Sequence, residues 1–229
     1  MNLESKVKKN NFRNNVAVLK ENKHYRFSDL FFEKGIRWKR DRNVILNDNK
    51  LKDSILRQYL EQKTKEKDYE ILKQIIKDYM FKNNLKLPSK SELVIHLRCG
   101  DIFEKIDQCS KDAVENQHLL IKNLLKNQKK IFNNKINKVS VVTAMHFGAN
   151  ELNNKYFYSE EVYNENIKFL EFFEGVVNQI GYELNLVSNN DFDQDLCYMA
   201  SSNFFLKSFS QISDIIERCL HKNAKVYNI

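Results

Sequence analysis

The sequence predicts an α/β fold in which a parallel sheet carries helices on both faces. From residue 93 onward, short apolar and β-branched runs alternate with longer segments whose apolar residues recur at helical spacing. Strands that alternate with helices in this way build parallel sheets. The chain has 229 residues, of which 42% are hydrophobic, so it can bury a core of this size. These observations favour a Rossmann-like sheet.

The C-terminal part shows the alternation most clearly. Its predicted strands are residues 93–97, 139–144, 182–187, 204–206 and 226–227. Its predicted helices lie within residues 119–131, 167–180, 193–200 and 209–220. Gly181 is expected to end the second of these helices, because glycine adopts the left-handed conformation that commonly closes a helix.

The N-terminal part gives weaker signals. Residues 16–19 and 44–46 are short apolar runs typical of strands, and an Asn-Asp-Asn turn follows the second run. Residues 50–83 have apolar residues at helical spacing on both sides of a charged segment, residues 61–68, which predicts two helices. Pro88, the only proline, helps to stop the second helix. The predicted division is a mostly helical N-terminal region at residues 1–88 and an α/β domain at residues 89–229.

Composition narrows the classes of function. The net charge of +8 suits an anionic partner, but lysine and asparagine occur throughout the chain, which favours a solvated surface. No stretch approaches the ~20 apolar residues of a membrane span, and the amino terminus lacks the apolar core of a signal peptide. The four cysteines form no C-x-x-C pair, which predicts free thiols and no metal site. The expected location is therefore the cytoplasm.

The segment that follows the first strand of the α/β domain is the strongest candidate site. His96, Arg98, Gly100 and Asp101 stand where ligands of α/β sheets bind, at the carboxyl end of a strand. The planar fork of Arg98 suits a phosphate, and Gly100 allows close approach of the backbone. His96 shares a face with Arg98, and Asp101 is placed to orient the arginine. The alternative is an ordinary surface ion pair, worth ~0–1 kcal/mol.

Three further strand ends carry polar residues. Ser208, Ser210 and Gln211 open the last long helix, where free N–H groups bind anions, although Ser208 and Gln211 also have the spacing of a capping box. An acidic loop offers carboxylates that suit the N–H groups of a guanine edge, with an ordinary loop and helix cap as the alternative. These carboxylates are Asp191, Asp193 and Asp195. His146 and Gly148 follow the strand at 139–144, where they could line the cleft, although a lone histidine such as His146 is by default structural.

These motifs together resemble the donor-binding part of the α-1,2-, α-1,6- and protein O-fucosyltransferase group. The resemblance covers roughly residues 93–220. It is carried by the H-x-R-x-G-D pattern, Thr143, the acidic loop, the run Asp195-Leu196-Cys197-Tyr198-Met199, and the run from Phe204 to Ser210.

The resemblance implies a GT-B-like glycosyltransferase with a reduced N-terminal half. It implies metal-independent, inverting transfer from GDP-fucose to a glycan or polysaccharide acceptor, with no cofactor besides this donor. Arg98 would bind the β-phosphate and stabilise the leaving GDP, with His96 near the nucleotide. Ser208, Ser210 and Gln211 would bind the diphosphate, and one aspartate of the acidic loop, such as Asp191 or Asp195, would read guanine. Asp101 and Glu104 are the candidates for the general base.

Two alternatives stay open. Many members of the group carry a second arginine where this chain has Cys99, so an inactive relative that binds a sugar nucleotide without transfer is one of them. A nucleic-acid-binding module is the other, although no recognised motif supports it and no nucleic-acid partner is expected. Its basic and aromatic residues would be Arg26, Arg37, Trp38, Lys39, Arg40 and Arg42.

Overall fold

A five-stranded parallel sheet is the centre of the molecule and confirms the α/β, Rossmann-like class. The computed structural model describes residues 18–19, 23–24, 27–31, 38–62, 68–104, 108–132, 135–143, 160–188 and 191–229. The strands, in chain order, are β1 (Val18–Leu19), β2 (Lys23–His24), β3 (Glu92–His96), β4 (Lys138–Thr143), β5 (Leu184–Ser188), β6 (Phe204–Leu206) and β7 (Lys225–Tyr227). β1 and β2 form a separate antiparallel pair, and the last five strands form the parallel sheet.

The helices occupy both the N-terminal region and the connections of the sheet. In chain order they are α1 (Phe27–Phe31), α2 (Trp38–Asn47), α3 (Ile55–Gln62), α4 (Tyr69–Asn83), α5 (Gln108–Lys126), α6 (Gln128–Ile131), α7 (Glu160–Gln179), α8 (Phe192–Ala200) and α9 (Gln211–Cys219). Two short 3-10 helices lie at Asn49–Leu51 and Asp101–Glu104. None of the helices within the described ranges is long and apolar enough to cross a membrane.

The strand order β5-β4-β3-β6-β7 is that of a doubly wound sheet. The chain enters at the central strand β3, runs outward through β4 and β5, and returns to β6 on the other side of β3. The connections through α5, α6 and α7 pack on one face, whereas α8 and α9 pack on the other. The direction of winding therefore reverses between β3 and β6, and a crevice forms where these two strands end.

Alternating side chains of the strands build one apolar core on each face of the sheet. Leu93 and Ile95 of β3 point to the face of α5 and α7, and Val94 points to the face of α8 and α9. Helices α1 to α4 contribute to this second core, with Tyr59 and Ile76 among its buried residues. The N-terminal helices therefore pack on the sheet itself, and the division of the chain near residues 84–91 stays a prediction.

Most predicted elements are present, with one clear error. Residues 44–46 were predicted as a strand and are part of the helix α2. Ile45 is fully buried and Leu46 packs against the same core, whereas Val44 is 39% exposed, so the side chains of the run do not alternate between two faces as they would in a strand. Gly181 follows α7 with a φ of 94°, which confirms its predicted role as a helix stop. The two helices predicted within residues 50–83 are α3 and α4.

Candidate active site at the carboxyl edge of the sheet

The crevice between β3 and β6 brings two of the predicted motifs together. His96 is the last residue of β3, and Ser208 lies two residues after the end of β6. Helix α9 begins at Gln211, directly beyond Ser210. A histidine, two serines and a helix amino terminus therefore meet at the point where the winding of the sheet reverses, as expected from the spacing of the motifs.

His96 is the centre of a network of hydroxyl groups. Its Nδ1 atom lies 2.8 Å from the Ser213 hydroxyl, 3.0 Å from that of Ser208 and 3.2 Å from that of Ser210. The hydroxyl oxygens of Ser208 and Ser213 are 2.8 Å apart, and those of Ser210 and Ser213 are 3.1 Å apart. We call these four residues the His96 cluster; it ties the end of β3 to the start of α9.

The His96 cluster carries no net charge at neutral pH. Burial of the imidazole and, to a smaller degree, the positive charge of Arg98 lower the pKa of His96 to about 4. A neutral imidazole has one donor and one acceptor nitrogen, and a hydroxyl can complement either. The cluster therefore holds its hydrogen bonds without bringing a second cation next to Arg98.

The three residues predicted to bind a diphosphate at the start of α9, Ser208, Ser210 and Gln211, differ in their hydrogen bonds and in their exposure. Ser210 is the N-cap of α9, because its Oγ accepts the hydrogen bond of the Ser213 N–H at 3.1 Å. The predicted capping pair of Ser208 and Gln211 is wrong: the Ser208 hydroxyl is buried against His96 and Ser213. Gln211 is exposed and Ser210 half-buried, so these two residues border the crevice.

Two side-chain amides hold the loop that carries Arg98. The Gln117 Oε1 of α5 accepts the Arg98 N–H at 3.2 Å. The Asn166 Oδ1 of α7 accepts the Gly100 N–H at 2.6 Å, and its Nδ2 donates to the Gly100 carbonyl at 3.3 Å. Gly100 has a φ of 84°, a conformation that other residues rarely adopt. Arg98 itself is half-buried. The loop is thus fixed from two helices on the same face of the sheet.

Cys99 points away from solvent, into the core beneath the loop. The residue is fully buried, and burial raises the pKa of its thiol to about 12. Thr143 ends β4 and is also buried. The thiol is therefore protonated at neutral pH and has the character of a small core residue, not of a nucleophile. The position offers no room for a second arginine directed at the crevice.

The three aspartates of the acidic loop serve different structural purposes. Asp191 caps α8, since its Oδ1 accepts the Gln194 N–H at 2.8 Å, which confirms the N-cap interpretation for this residue. Asp193 reaches α3 and accepts the Ile55 N–H at 3.1 Å. Burial, together with the charge of Asp191, raises the pKa of Asp193 to about 7. Asp195 is buried in the first turn of α8. Asp191 is the most exposed of the three.

Several predicted residues lie outside the described part of the chain. They are the side chain of Asp101, residues 189–190, His146 and Gly148, and, from the basic N-terminal group, Arg26 and Arg37 with the side chains of Trp38, Lys39 and Arg40. Glu104 is described and lies half-buried in the 3-10 helix Asp101–Glu104 that follows the Arg98 loop.

Three residues of the site were not predicted from the sequence. Ser213 is one helical turn from Ser210, a spacing that favours contact. Gln117 lies on the apolar stripe of α5 between Val114 and Ile121, and Asn166 lies on that of α7. A polar residue on an apolar stripe is the signal that marks a buried hydrogen-bonding position.

Comparison with family models, with curated proteins and with solved structures finds no significant match for this chain. Within the described ranges, no group of histidine, cysteine and acidic residues is placed to hold a metal ion. The four cysteines are free thiols, as predicted, and only Cys109 is exposed. Interpretation of the site therefore depends on its geometry and on the motif resemblance.

Proposed function

We propose that the protein is a glycosyltransferase that binds a sugar nucleotide at the carboxyl edge of its sheet. One observation carries the proposal. The reversal of strand order places the Arg98 loop beside the amino terminus of α9, which begins at the Ser210 cap. A permanent cation and a helix amino terminus are complementary to a diphosphate, because both attract anions and donate hydrogen bonds.

The same two groups suit the chemistry of transfer. An acceptor hydroxyl attacks the anomeric carbon of the sugar, the bond from that carbon to the β-phosphate oxygen breaks, and the nucleoside diphosphate leaves with the bonding electron pair. Negative charge grows on the diphosphate as this bond breaks, so Arg98 would act most strongly in the transition state. The proton of the acceptor hydroxyl needs a base, for which Asp101 and Glu104 are the candidates nearest in sequence.

The identity of the donor and acceptor follows from the motif resemblance. H-x-R-x-G-D is the pattern of fucosyltransferases, which supports GDP-fucose as donor and a glycan or polysaccharide as acceptor. Asp191, the exposed member of the acidic loop, is the best candidate to read guanine. A GT-B-like arrangement would leave the acceptor to the N-terminal region, where helices α1 to α4 pack on the sheet face that carries α9.

A nucleotide panel tests the binding part of the proposal. A ligand at 100 times its Kd stabilises the native state by about 2.7 kcal/mol, which is readily seen as a rise in Tm. We expect GDP and GDP-fucose to raise the Tm, and UDP to raise it much less. Equal stabilisation by all nucleotides would contradict the proposed recognition of guanine. No stabilisation by any nucleoside diphosphate would contradict the proposal as a whole.

The Arg98→Ala variant tests the catalytic part. Loss of a group that stabilises transition-state charge typically lowers kcat on the order of 10²-fold or more. We expect this loss in transfer from GDP-fucose, while the variant keeps its fold. Arg218→Ala is the matched control, because Arg218 is an exposed arginine in the last turn of α9, at the far end from the crevice. Equal turnover in the two variants would contradict the role of Arg98. Binding of GDP-fucose by the native protein without any transfer would instead indicate the inactive relative.

A further inference from the structure

The Arg98 loop is held by two fully buried amides that come from separate helices. Gln117 of α5 and Asn166 of α7 both have 0% of their surface exposed. Gln117 binds the backbone N–H of Arg98, and Asn166 binds both the N–H and the carbonyl of Gly100. The Asn166 Nδ2 also donates to the Val162 carbonyl at 2.7 Å, which fixes the amide on its own helix. The two side chains act on both sides of Cys99.

Burial of the Gln117 side chain is energetically unfavourable at this position. Its Nε2 atom has no hydrogen-bond partner among the residues that the structure describes. A buried donor without a partner lowers stability, whereas an apolar side chain of similar size would avoid that cost. The neighbouring positions on the same stripe of α5, Val114 and Ile121, are apolar. The Gln117 Oε1 atom accepts the Arg98 N–H, which an apolar side chain could not do, so the amide is explained by the support that it gives to the backbone of Arg98.

We infer that Gln117 and Asn166 are positioning residues that fix the direction of Arg98 for a diphosphate. The inference rests on the proposed function and adds the parts that preorganise its cation. A guanidinium at the end of a flexible side chain binds weakly if its backbone is also free to move, because binding must then order both. With the backbone fixed at Arg98 by one amide and at Gly100 by another, ligand binding does not have to order the backbone of the loop.

A double-mutant cycle separates positioning from general structural support. Gln117→Met keeps the volume and removes the acceptor for the Arg98 N–H; Asn166→Asp keeps the acceptor for the Gly100 N–H and removes the Nδ2 donor. Each is made alone and together with Arg98→Ala, and the Kd for GDP is measured by calorimetry. Asn127→Asp is the matched control. The Asn127 Nδ2 donates to the carbonyl of Asn123, four residues earlier, as the Asn166 Nδ2 does to the carbonyl of Val162. Asn127 lies just after the last residue of α5, at the end of the helix that is far from the Arg98 loop.

We expect Gln117→Met to weaken GDP binding about 10-fold when Arg98 is present and to have no further effect once Arg98 is alanine. Asn166→Asp adds a carboxylate that repels a diphosphate in either background, so we expect it to weaken binding more when Arg98 is present than when it is alanine. Asn127→Asp is expected to leave the Kd unchanged. Equal weakening with and without Arg98, or no weakening by either amide variant, would overturn the inference while leaving the proposed function in place. If Arg98→Ala itself leaves GDP binding unchanged, the proposed function falls and the inference falls with it. Should Asn166→Asp fail to fold, the cycle with Gln117→Met decides the question.

Discussion

The two edges of the sheet both contain buried polar networks, yet only one of them has the features of a binding site. At the amino edge, where the parallel strands begin, Glu92 is the first residue of β3 and is almost fully buried. The hydroxyls of Ser140 and Tyr198 donate to its Oε1, and its Oε2 accepts the Ser89 N–H at 3.0 Å and lies 3.3 Å from the Lys138 ammonium. The carboxylate of Glu92 is therefore hydrogen-bonded and ion-paired by groups of the protein itself, without a ligand.

The carboxyl edge differs in kind. There the His96 cluster adjoins the amino terminus of α9 and the loop that carries the half-buried Arg98 and Gly100. Burial of polar groups alone therefore does not identify a site in this molecule. The informative combination is a hydrogen-bonded network next to a half-buried cation and a helix amino terminus, both of which attract anions.

Protonation behaviour also separates the two edges. Burial opposes ionisation of Glu92, but hydrogen bonds from Ser140 and Tyr198 outweigh it, so the pKa of Glu92 lies below its usual value. Glu92 therefore contributes stability above the ordinary pKa of a glutamate, and this stability is lost as the pH falls through the lower folded value. His96 has a lowered pKa too, so it is neutral and contributes no charge to the carboxyl edge at physiological pH.

Removal of Glu92 should give the largest effect on stability and none on binding. Glu92→Ala leaves the buried hydroxyls of Ser140 and Tyr198 without their acceptor, at a cost of about 3 kcal/mol, or roughly 6–12 °C in Tm. The Kd for GDP should not change below the unfolding transition. Thermal unfolding followed by calorimetry checks both points. Glu165→Ala, which removes an exposed ion pair with Lys168, is the control and should leave the Tm nearly unchanged. A strong loss of GDP affinity in Glu92→Ala would contradict the claim that only the carboxyl edge of the sheet binds the nucleotide.

Removal of His96 should affect both stability and binding. His96→Ala leaves the buried hydroxyls of the His96 cluster without their common partner, so we expect a loss of about 1–2 kcal/mol. GDP binding should weaken as well, since the start of α9 is no longer tied to β3. His221→Ala is the control, because His221 is exposed and lies 2.8 Å from the Asn203 amide oxygen in the connection that leads back to β7. Chemical denaturation and GDP titration of both variants check this; an identical GDP affinity in the two would show that the cluster is only structural.

Asp193 should give an effect on stability that depends on pH. Its folded pKa of about 7 lies above the ordinary value of 3.8, so the folded protein holds this proton more tightly than the unfolded chain does. Stability is therefore lost as the pH rises from about 4 to about 7. Asp193→Asn keeps an acceptor for the Ile55 N–H and removes the charge, so it should raise the Tm at about pH 8 and much less at about pH 4. A constant difference between variant and native protein at both pH values would contradict the raised pKa.

Local sequence patterns predicted much of the sheet. Strand β6, residues 204–206, was predicted with its observed bounds, because its apolar run is short and lies between polar segments. The position of His96 and Arg98 at a strand end followed from the same logic. The order of the strands did not follow from any single segment, since it depends on how the helices divide between the two faces.

The parts that failed depend on tertiary contacts. In residues 44–46, which form helix, Ile45 is buried and Leu46 packs against the same core while Val44 is exposed, a division that no local pattern reveals. Ser208 has the spacing of an N-cap, but the imidazole of His96, more than a hundred residues away in sequence, takes its hydroxyl and leaves the cap to Ser210. The supporting roles of Gln117 and Asn166 likewise depend on a loop that approaches them only in the folded chain.

Hydrogen–deuterium exchange with and without GDP tests the central claim most directly, because it locates the bound diphosphate on the backbone. Protection is expected at the amides of residues 97–104 and 207–214, which form the two sides of the crevice between β3 and β6. The amides around Glu92 and Lys138 at the opposite edge should exchange at the same rate with and without GDP. Protection confined to that opposite edge, or no protection at a GDP concentration that saturates binding, would contradict the assignment of the site.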